Sequence, residues 1–447
     1  MNERTKRWAV LLGAGAGAFL CLQFVRPALA NPPVTSDIEI PPQVKSVLQR
    51  ACYDCHSNET HLAWFDRVSP AIWLVAKHVK EGRAVMNFSE WDHLNQGQQT
   101  GKLFESLNQM AFGTMPPSEY TMLHPAAKLS DQDLAVLRDY LATQAKPVAP
   151  DPAKASAAQQ QYEHWIKAPP VRDPKPAPNG IGFMPDYKDW EAISTTDRVD
   201  NGTMRVILGN EIATNAIREN KTNPWPDGAT FAKVAWDAAA EPDGTVHPGP
   251  FKQVEFMIKD GKKYEATEGW GWARWWKGTD LEPYGHDLSF TQECTNCHKP
   301  MEKDDFVFST PFALRRSAAL PSGAPFDSHG WRVITSSMQQ GEGTMSTLYG
   351  NDLAVKRARG GQVPWPKGAE LSLVTWKKEP DAHWFGANVP GAVQSVEQVT
   401  FSQDAAEGSA PRYAQYDGTG AKKGNIDSET AARRIAYIEG QHASVMP

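Results

Sequence analysis

The 447-residue chain has few cysteines, no excess of positive charge and little apolar sequence long enough to cross a membrane. It contains five cysteines, and its formal net charge is −6 at pH 7. An acidic chain offers no electrostatic surface for phosphate groups, so we expect no nucleic-acid partner. Beyond the first 30 residues no apolar run approaches the ~20 residues of a transmembrane helix, which excludes a polytopic membrane protein. With 40% hydrophobic and 22% charged residues, the composition is that of a multidomain globular protein.

Residues 1–30 have the organisation of a signal peptide. Basic residues between Arg4 and Arg7 precede a largely apolar run over residues 8–25, and Ala28–Ala30 supplies the small residues that signal peptidase accepts. We therefore expect export to the periplasm. The apolar run is at the lower length limit for spanning a bilayer, so an uncleaved inner-membrane anchor is the alternative.

Four of the five cysteines lie in two C-x-x-C-H motifs, Cys52–His56 and Cys294–His298. Two thiols three positions apart on a helical turn can form thioethers to the two vinyl groups of a haem, and the next residue then directs its imidazole at the iron. The motifs predict two covalently bound c-type haems. Their attachment and iron-ligating residues would be Cys52, Cys55 and His56, and Cys294, Cys297 and His298.

Three other interpretations of the cysteine pairs remain. They are structural disulfides, thioredoxin-like redox pairs, and a zinc site that draws ligands from both motifs. Disulfides or redox pairs leave both following histidines as coincidence, and zinc requires ligands brought together across some 240 residues. Export favours haem, because bacteria attach c-type haem outside the cytoplasm.

Residues 36–145 have the pattern of a small all-helical haem domain. Apolar residues at helical spacing, caps and terminal glycines place the helix boundaries. The predicted helices run over residues 40–51, from Ser69-Pro70 to Gly82, from Leu103 to Phe112, and from Ser130 onward. Residues 146–180 are rich in proline and alanine, which is typical of a linker.

Beyond the linker the pattern changes to antiparallel strands and then repeats. Strands are predicted over residues 230–236 and 253–258, with a helix over 211–220. The motif Pro224–Ala229 recurs as Pro364–Ala369, and other matches hold the same offset of 140 or 141 residues, which indicates duplication. We predict an α+β multidomain chain with tandem sheet domains over residues 181–325 and 326–447. The second copy has residues 438–442 in place of the haem motif, without either thiol.

The first sheet domain, from about Gly182 to Pro311, resembles the cytochrome P-460 family of bacterial c-type cytochromes. The resemblance rests on Asp227-Gly228 followed by Lys233, on Val254-Glu255 leading to Lys259-Asp260, and on Cys294–His298 followed by Val307-Phe308. It implies an antiparallel sheet with a few helices and a commonly dimeric state. It also implies that Lys233 is joined covalently to the porphyrin edge, that Glu255 lines the distal pocket, and that His298 is the proximal ligand opposite an open face.

Catalytic roles for Lys233 and Glu255 agree with elementary chemistry. Bonding to the macrocycle removes the penalty of a buried ammonium and distorts the ring, which tunes the haem potential. A partly desolvated carboxylate whose pKa is raised toward neutrality is a suitable base. The alternatives are a solvated edge-strand lysine and the polar half of an alternating strand. In the second copy we expect Leu373 and Thr400 at the corresponding places.

The N-terminal region, about residues 38–145, resembles a haem-binding domain found in exported bacterial cytochromes. The match rests on Cys52–His56, on Asn87–Trp91, and on Met115-Pro116-Pro117 followed by Leu123-His124-Pro125. Electron-transfer haems have a sixth ligand, and a thioether raises the potential. We predict that Met115 is that ligand, ahead of Met110, Met122, His78 and His124; the alternative is that Met115 only fills the core.

Two functions follow from the sequence. In the first, hydroxylamine or a related nitrogen oxide is oxidised at the lysine-linked haem, and the N-terminal haem relays electrons to or from a periplasmic partner. In the second, the chain binds nitric oxide or carries electrons without turnover, as cytochrome c′-beta proteins of the same family do. We expect a structural or dimerisation role for the thiol-free copy, with the two sheet domains pairing either within one chain or in a homodimer.

Overall fold

The computed structural model describes residues 3–167, 174–276, 281–321, 323–326, 330–361, 364–404, 410–424 and 426–446. The chain divides into two compact units, Met1–Ala145 and Lys146–Pro447. The first is helical and the second is built on one antiparallel sheet, which confirms the predicted α+β class. Part of the predicted linker, residues 168–173, lies outside the described residues.

The first unit contains seven α-helices in its described part. They are α1 (Glu3–Leu22), α2 (Pro42–Ala51), α3 (Tyr53–His56), α4 (Ala71–Val85), α5 (Gln96–Ala111), α6 (Ser118–Leu123) and α7 (Asp131–Gln144). Among the described residues, no helix combines the length and the apolar character needed to cross a membrane.

Local sequence signals account for most of these boundaries. The buried face of α2 consists of Val44, Val47, Leu48 and Ala51, the predicted apolar stripe. Helix α7 begins with a capping box in which Ser130 and Asp133 satisfy each other's backbone N–H groups. Gly82 does not end its helix as predicted, because α4 continues to Val85. A Cβ at Gly82 would lie 2.6 Å from the Cys55 carbonyl oxygen, so this glycine lets α4 cross the first haem motif closely.

The second unit contains α8 (Pro152–Lys167) and two copies of one strand and helix order. The first copy comprises β1 (Glu191–Arg198), β2 (Thr203–Gly209), α9 (Glu211–Arg218), β3 (Thr230–Ala240), β4 (Thr245–Lys259), β5 (Trp270–Trp276), β6 (Glu282–Pro283) and α10 (Ser289–His298). The second comprises β7 (Arg332–Gln339), β8 (Thr344–Gly350), α11 (Asp352–Gly360), β9 (Glu370–Pro380), β10 (Ala387–Thr400), β11 (Arg412–Asp417) and α12 (Ser428–Glu439).

The two copies share one sheet that closes on itself. Its order is β3-β2-β1-β10-β9-β8-β7-β4, and β3 also pairs with β4, which completes an eight-stranded ring. Strands β5 and β6 extend from β4, and β11 extends from β10. The seams between the copies are short: Asp197 and Arg198 on β1 pair with β10, and Thr245 and Val246 on β4 pair with β7.

Helix α8 lies in the region predicted as a linker and packs on the sheet. The Tyr162 hydroxyl donates to the Ala358 carbonyl at 2.9 Å, and the Phe251 backbone N–H donates to the side chain of Gln161 at 2.8 Å. Tyr162 belongs to an apolar cluster that is otherwise formed by residues of the second copy, among them Leu373 and Ile438. The helix therefore covers sheet surface and is part of the second unit.

Candidate functional site

The predicted site residues of the first copy lie in one row across three strands. In the register of β3, β4 and β5, Lys233 pairs with Glu255, which in turn pairs with Arg274. Lys233 Nζ forms a contact ion pair with Glu255 Oε2, and Arg274 Nε lies 2.8 Å from Glu255 Oε1. The three side chains are only 29%, 17% and 28% exposed. The structure thus brings Lys233 and Glu255 together and adds an arginine to them.

The charges in this row set the protonation of Glu255. Burial acts to raise the pKa of Glu255, but Arg274 and Lys233 outweigh it and lower the pKa to about 2. The expected rise toward neutrality is therefore not found while Lys233 carries its charge. Burial lowers the pKa of Lys233, and the nearby Arg205 and Arg274 act in the same direction.

His298, the last residue of α10, has the environment of a neutral metal-ligating imidazole. Its Nδ1 lies 2.7 Å from the Phe306 carbonyl oxygen, which accepts a hydrogen bond only from a protonated nitrogen. Burial lowers the pKa of His298 to about 4. The imidazole lies against the Trp272 ring, at 4.5 Å between centroids, and meets the Phe308 ring edge-on at 5.0 Å. The hydrogen bond fixes the tautomer that leaves the Nε2 lone pair for a metal.

The carbonyl that accepts from His298 lies in a strained turn. Asp305 and Phe306 both have left-handed backbones, with φ of 48° and 66°. Each such residue costs about 1–3 kcal/mol and persists only where the surroundings enforce it. The Asp305 carboxylate accepts from the Trp225 backbone N–H at 2.8 Å and from Lys259 Nζ at 2.6 Å. These bonds hold the turn from its N-terminal side.

The four motif thiols are not joined to each other in disulfides. Burial raises the pKa of the Cys52 thiol to about 12 and those of Cys55 and Cys294 to about 11, which suppresses the thiolate that a redox pair would need. In the part of the chain that the structure describes, no three Cys, His, Asp or Glu side chains are grouped to hold a metal ion. The disulfide and redox-pair interpretations therefore gain no support.

Two buried polar atoms near the row fit a haem rather than a closed core. Trp272 Nε1 and Arg205 Nε are buried without a hydrogen-bond partner among the described residues. Buried donors in native proteins are nearly always satisfied, so both indicate a missing acceptor. A haem carries two propionate groups that can accept from such donors. Together with two adjacent thiols and the neutral His298, these residues fit the group.

The first unit repeats the histidine arrangement. His56 Nδ1 lies 3.2 Å from the Met86 carbonyl oxygen, and burial lowers the pKa of His56. The same tautomer argument leaves Nε2 of His56 for iron. Gly82 brings α4 against the Cys55 carbonyl, so the motif is held between α4 on one side and α2 on the other.

The candidates for the sixth ligand of this unit differ in their surroundings. Both ring nitrogens of His124 are engaged, Nδ1 by the Tyr120 carbonyl at 3.1 Å and Nε2 by the Asp66 carboxylate at 3.0 Å. Met110 is buried in the core at 5% exposure. Met115 is 42% exposed and follows the turn after α5. Met115 stays our prediction.

The second copy has a carboxylate at the place of Glu255, where the sequence predicted Thr400. In the register of β9 and β10, Leu373 pairs with Glu397, as Lys233 pairs with Glu255, so Glu397 and not Thr400 is the counterpart of Glu255. The hairpin loop over residues 381–386 is two residues longer than that over 241–244, so the offset between the copies rises from 140 at Leu373 to 142 at Glu397, and Thr400 lies three positions further along β10. The lysine and both thiols are absent from this copy, but the glutamate is not.

The contacts of Glu397 are those of a buried structural residue. It is 4% exposed, accepts from Arg434 Nε of α12 at 2.8 Å and contacts the Tyr413 hydroxyl. Leu373 and Ile438 fill the neighbouring surface with apolar packing. A buried carboxylate is thus satisfied without a haem, because α12 provides the cation.

Arg274, Arg205 and Asp305 were missed from the sequence. Arg274 was detectable in principle, because alternation along β5 places it on the same face as Trp270 and Trp272. No local signal marks Asp305, whose partners lie 80 and 46 residues earlier in the chain.

Two family models match the chain. One, described as a haem-binding domain, matches residues 17–143. The other, described as Cytochrome P460, matches twice, at residues 184–309 and 325–434, which together are more than half of the chain. These matches confirm both resemblances and fall on the helical unit and on the two copies of the repeat. No curated protein matches the chain.

Proposed function

The chain belongs to the cytochrome P460 family, and we propose that it is an exported dihaem c-type cytochrome that oxidises hydroxylamine or a related nitrogen oxide. Turnover takes place at the haem held by Cys294, Cys297 and His298, and the haem on Cys52 and Cys55 relays the electrons to a periplasmic acceptor. Export rests on residues 1–30, whose pattern is that of a signal peptide.

The observation that carries the proposal is the row Lys233, Glu255 and Arg274 on the same sheet face as the orphaned Trp272 N–H, with Trp272 against His298. When bound, the haem provides an iron centre that takes electrons from the substrate. An electron carrier has no use for a carboxylate held beside its cofactor by a lysine and an arginine. An enzyme that removes protons from a nitrogen substrate needs such a carboxylate as its base.

The residues of the row have distinct roles. His298 donates through Nδ1 to Phe306 and so presents Nε2 as the iron ligand. If Lys233 were bonded to the porphyrin edge, as the family resemblance implies, its nitrogen would carry no charge, and one of the causes that lower the pKa of Glu255 would be removed. Arg274 remains beside Glu255 as an ion-pair partner, with its Nε 2.8 Å from Oε1. Glu255 is then the base that accepts protons as hydroxylamine is oxidised.

A steady-state assay decides between the enzyme and a carrier. The full chain with both haems is mixed with hydroxylamine and a soluble one-electron acceptor, and reduction of the acceptor is followed optically. Catalytic reduction, many equivalents per chain, is the expected result. Tight nitric oxide binding without such reduction would support the second candidate function, a cytochrome that binds nitric oxide without turnover. Cytochrome c′-beta proteins of the same family are the precedent for that function.

We predict two haems per chain. Intact mass of the purified protein is expected to equal the processed polypeptide plus two haems, because only two of its segments carry paired thiols before a histidine. The double substitution Cys294→Ala with Cys297→Ala should leave one haem. Three haems would contradict the structural role proposed for the second copy.

We predict that Met115 is the sixth ligand of the N-terminal haem. Replacing it by leucine should lower the reduction potential of that haem and convert its spectrum to one with an open position, because a thioether ligand raises the potential. Met122→Leu is the matched control, since Met122 is 75% exposed. Unchanged spectra of the Met115 variant would assign the position to another residue.

A further inference from the structure

The segment that follows the second haem motif is anchored to the thiol-free copy. His383 Nδ1 lies 2.8 Å from the Phe308 carbonyl oxygen. The Phe312 ring stacks on Trp376 of β9 with 5.4 Å between centroids, and Trp376 Nε1 donates to the Ala318 carbonyl at 2.9 Å. One copy therefore holds the chain that leaves the haem motif of the other.

His383 lies in the hairpin loop that is longer than its counterpart. The loop over residues 381–386 has six residues where the first copy has four. Within the loop, the Asp381 carboxylate accepts from the His383 backbone N–H at 2.8 Å; across to the first copy, Trp384 Nε1 donates to the Asp200 carboxylate at 3.1 Å. The guanidinium of Arg198 lies 4.4 Å from the Trp384 ring centroid. The additional length is thus ordered on the first copy.

This contact lies two residues from the carbonyl that binds His298. Phe306 accepts from His298 Nδ1, and the Phe308 ring meets the same imidazole edge-on. Asp305 holds the left-handed turn on one side through Trp225 and Lys259. His383 holds it on the other side. With either anchor removed, the turn is free to relax toward an ordinary backbone conformation.

We propose that the thiol-free copy positions the iron ligand of the first copy, with His383 as the positioning residue acting through Phe308. This deepens the proposed function in one respect, since it rests on a haem bound by Cys294, Cys297 and His298, but it does not require turnover. A hydrogen bond to the non-ligating nitrogen makes an imidazole a stronger donor to the metal. Weakening the Phe306 acceptor should therefore weaken the iron–histidine bond and raise the reduction potential.

Two variants test the contact in the full chain with both haems. His383→Leu removes the donor; leucine is preferred to alanine because a cavity lined by Ser309, Thr310 and His383 could admit a water in place of the side chain. His383→Asn keeps a side-chain N–H. His442→Leu is the matched control, because His442 also lies in the second copy but stacks on Tyr162 of α8.

The readouts are the iron–histidine stretching band of the ferrous protein, by resonance Raman spectroscopy, and the reduction potential of the haem on Cys294 and Cys297. His383→Leu is expected to move the band to lower frequency and the potential upward. His383→Asn should restore more than half of each shift, and His442→Leu should produce none. The N-terminal haem in the same chain is the internal reference for the potential measurement.

The proposal would be overturned if His383→Leu had the same iron–histidine stretching band and the same reduction potential as the unmodified chain. If the leucine variant does not accumulate, His383→Met, which also lacks a side-chain N–H, is the second test, and it is expected to move both readouts in the same direction as His383→Leu. A chain that shows these shifts but does not oxidise hydroxylamine would refute the enzyme and leave the positioning role intact. Normal turnover without the shifts would refute the positioning role alone.

Discussion

Glu255→Gln is expected to lower hydroxylamine-dependent turnover by about 10²–10⁴-fold, the usual contribution of a positioned general base. The amide has nearly the shape of the carboxylate but cannot accept a proton at neutral pH. Its neighbours Lys233 and Arg274 stay in place on adjacent strands. Both haems should remain attached, because none of the attachment residues changes.

The second copy offers a matched control for this variant. Glu397 occupies the same register position as Glu255 but is satisfied by Arg434 and Tyr413. Glu397→Gln removes a carboxylate from the equivalent strand position of the same chain and should leave turnover unchanged in the folded protein. Glu255→Asp, which keeps a base, should retain more activity than the glutamine variant. Equal turnover of Glu255→Gln and the unmodified chain would remove Glu255 from the mechanism.

Lys233→Leu is expected to change the visible absorption spectrum of one haem and to reduce turnover about tenfold or more, equivalent to ~1.4 kcal/mol of barrier. Leucine is the residue at the same register position of the second copy, where Leu373 is buried in apolar packing. The spectral change follows from loss of the proposed bond to the porphyrin edge, which distorts the ring. The spectrum of the N-terminal haem should not move.

Lys233→Arg separates the covalent bond from the ion pair. Arginine keeps a positive charge beside Glu255, but its guanidinium cannot replace the amine in the proposed bond. We expect the spectrum of Lys233→Arg to resemble that of Lys233→Leu. If the arginine variant instead keeps the spectrum of the unmodified chain, the ion pair alone accounts for Lys233, and the porphyrin bond is wrong.

Short-range sequence signals predicted the helical unit and the strand cores well. The start of α7 at Ser130 and the buried stripe of α2 followed from caps and spacing. The predicted strand over residues 253–258 was too short, since β4 begins at Thr245 and continues through Pro248, Gly249 and Pro250. A Pro-Gly-Pro run normally indicates a turn; here it lies near a register shift between β3 and β4, where ladder hydrogen bonds are interrupted.

Contacts between distant strands were the part that the sequence could not provide. Arg274 joins Glu255 only because β5 pairs with β4 in one particular register. Glu397 was missed for the same reason, since only its pairing with Leu373 on the neighbouring strand shows which residue of β10 corresponds to Glu255. His383 is a further example. The sequence shows that residue 383 is a histidine, but not that its partner is Phe308, 75 residues earlier in the chain.

The closed ring also bears on how such a gene can change during evolution. A chain shortened before β7 would leave β1 and β4 without their neighbours across the seams, and exposed strand edges template aggregation. Deletion of the thiol-free copy is therefore disfavoured even though that copy lacks both cysteines of the haem motif. Substitutions in that copy could accumulate at the positions that correspond to the haem-binding residues of the first copy, provided that the strands which close the ring were kept.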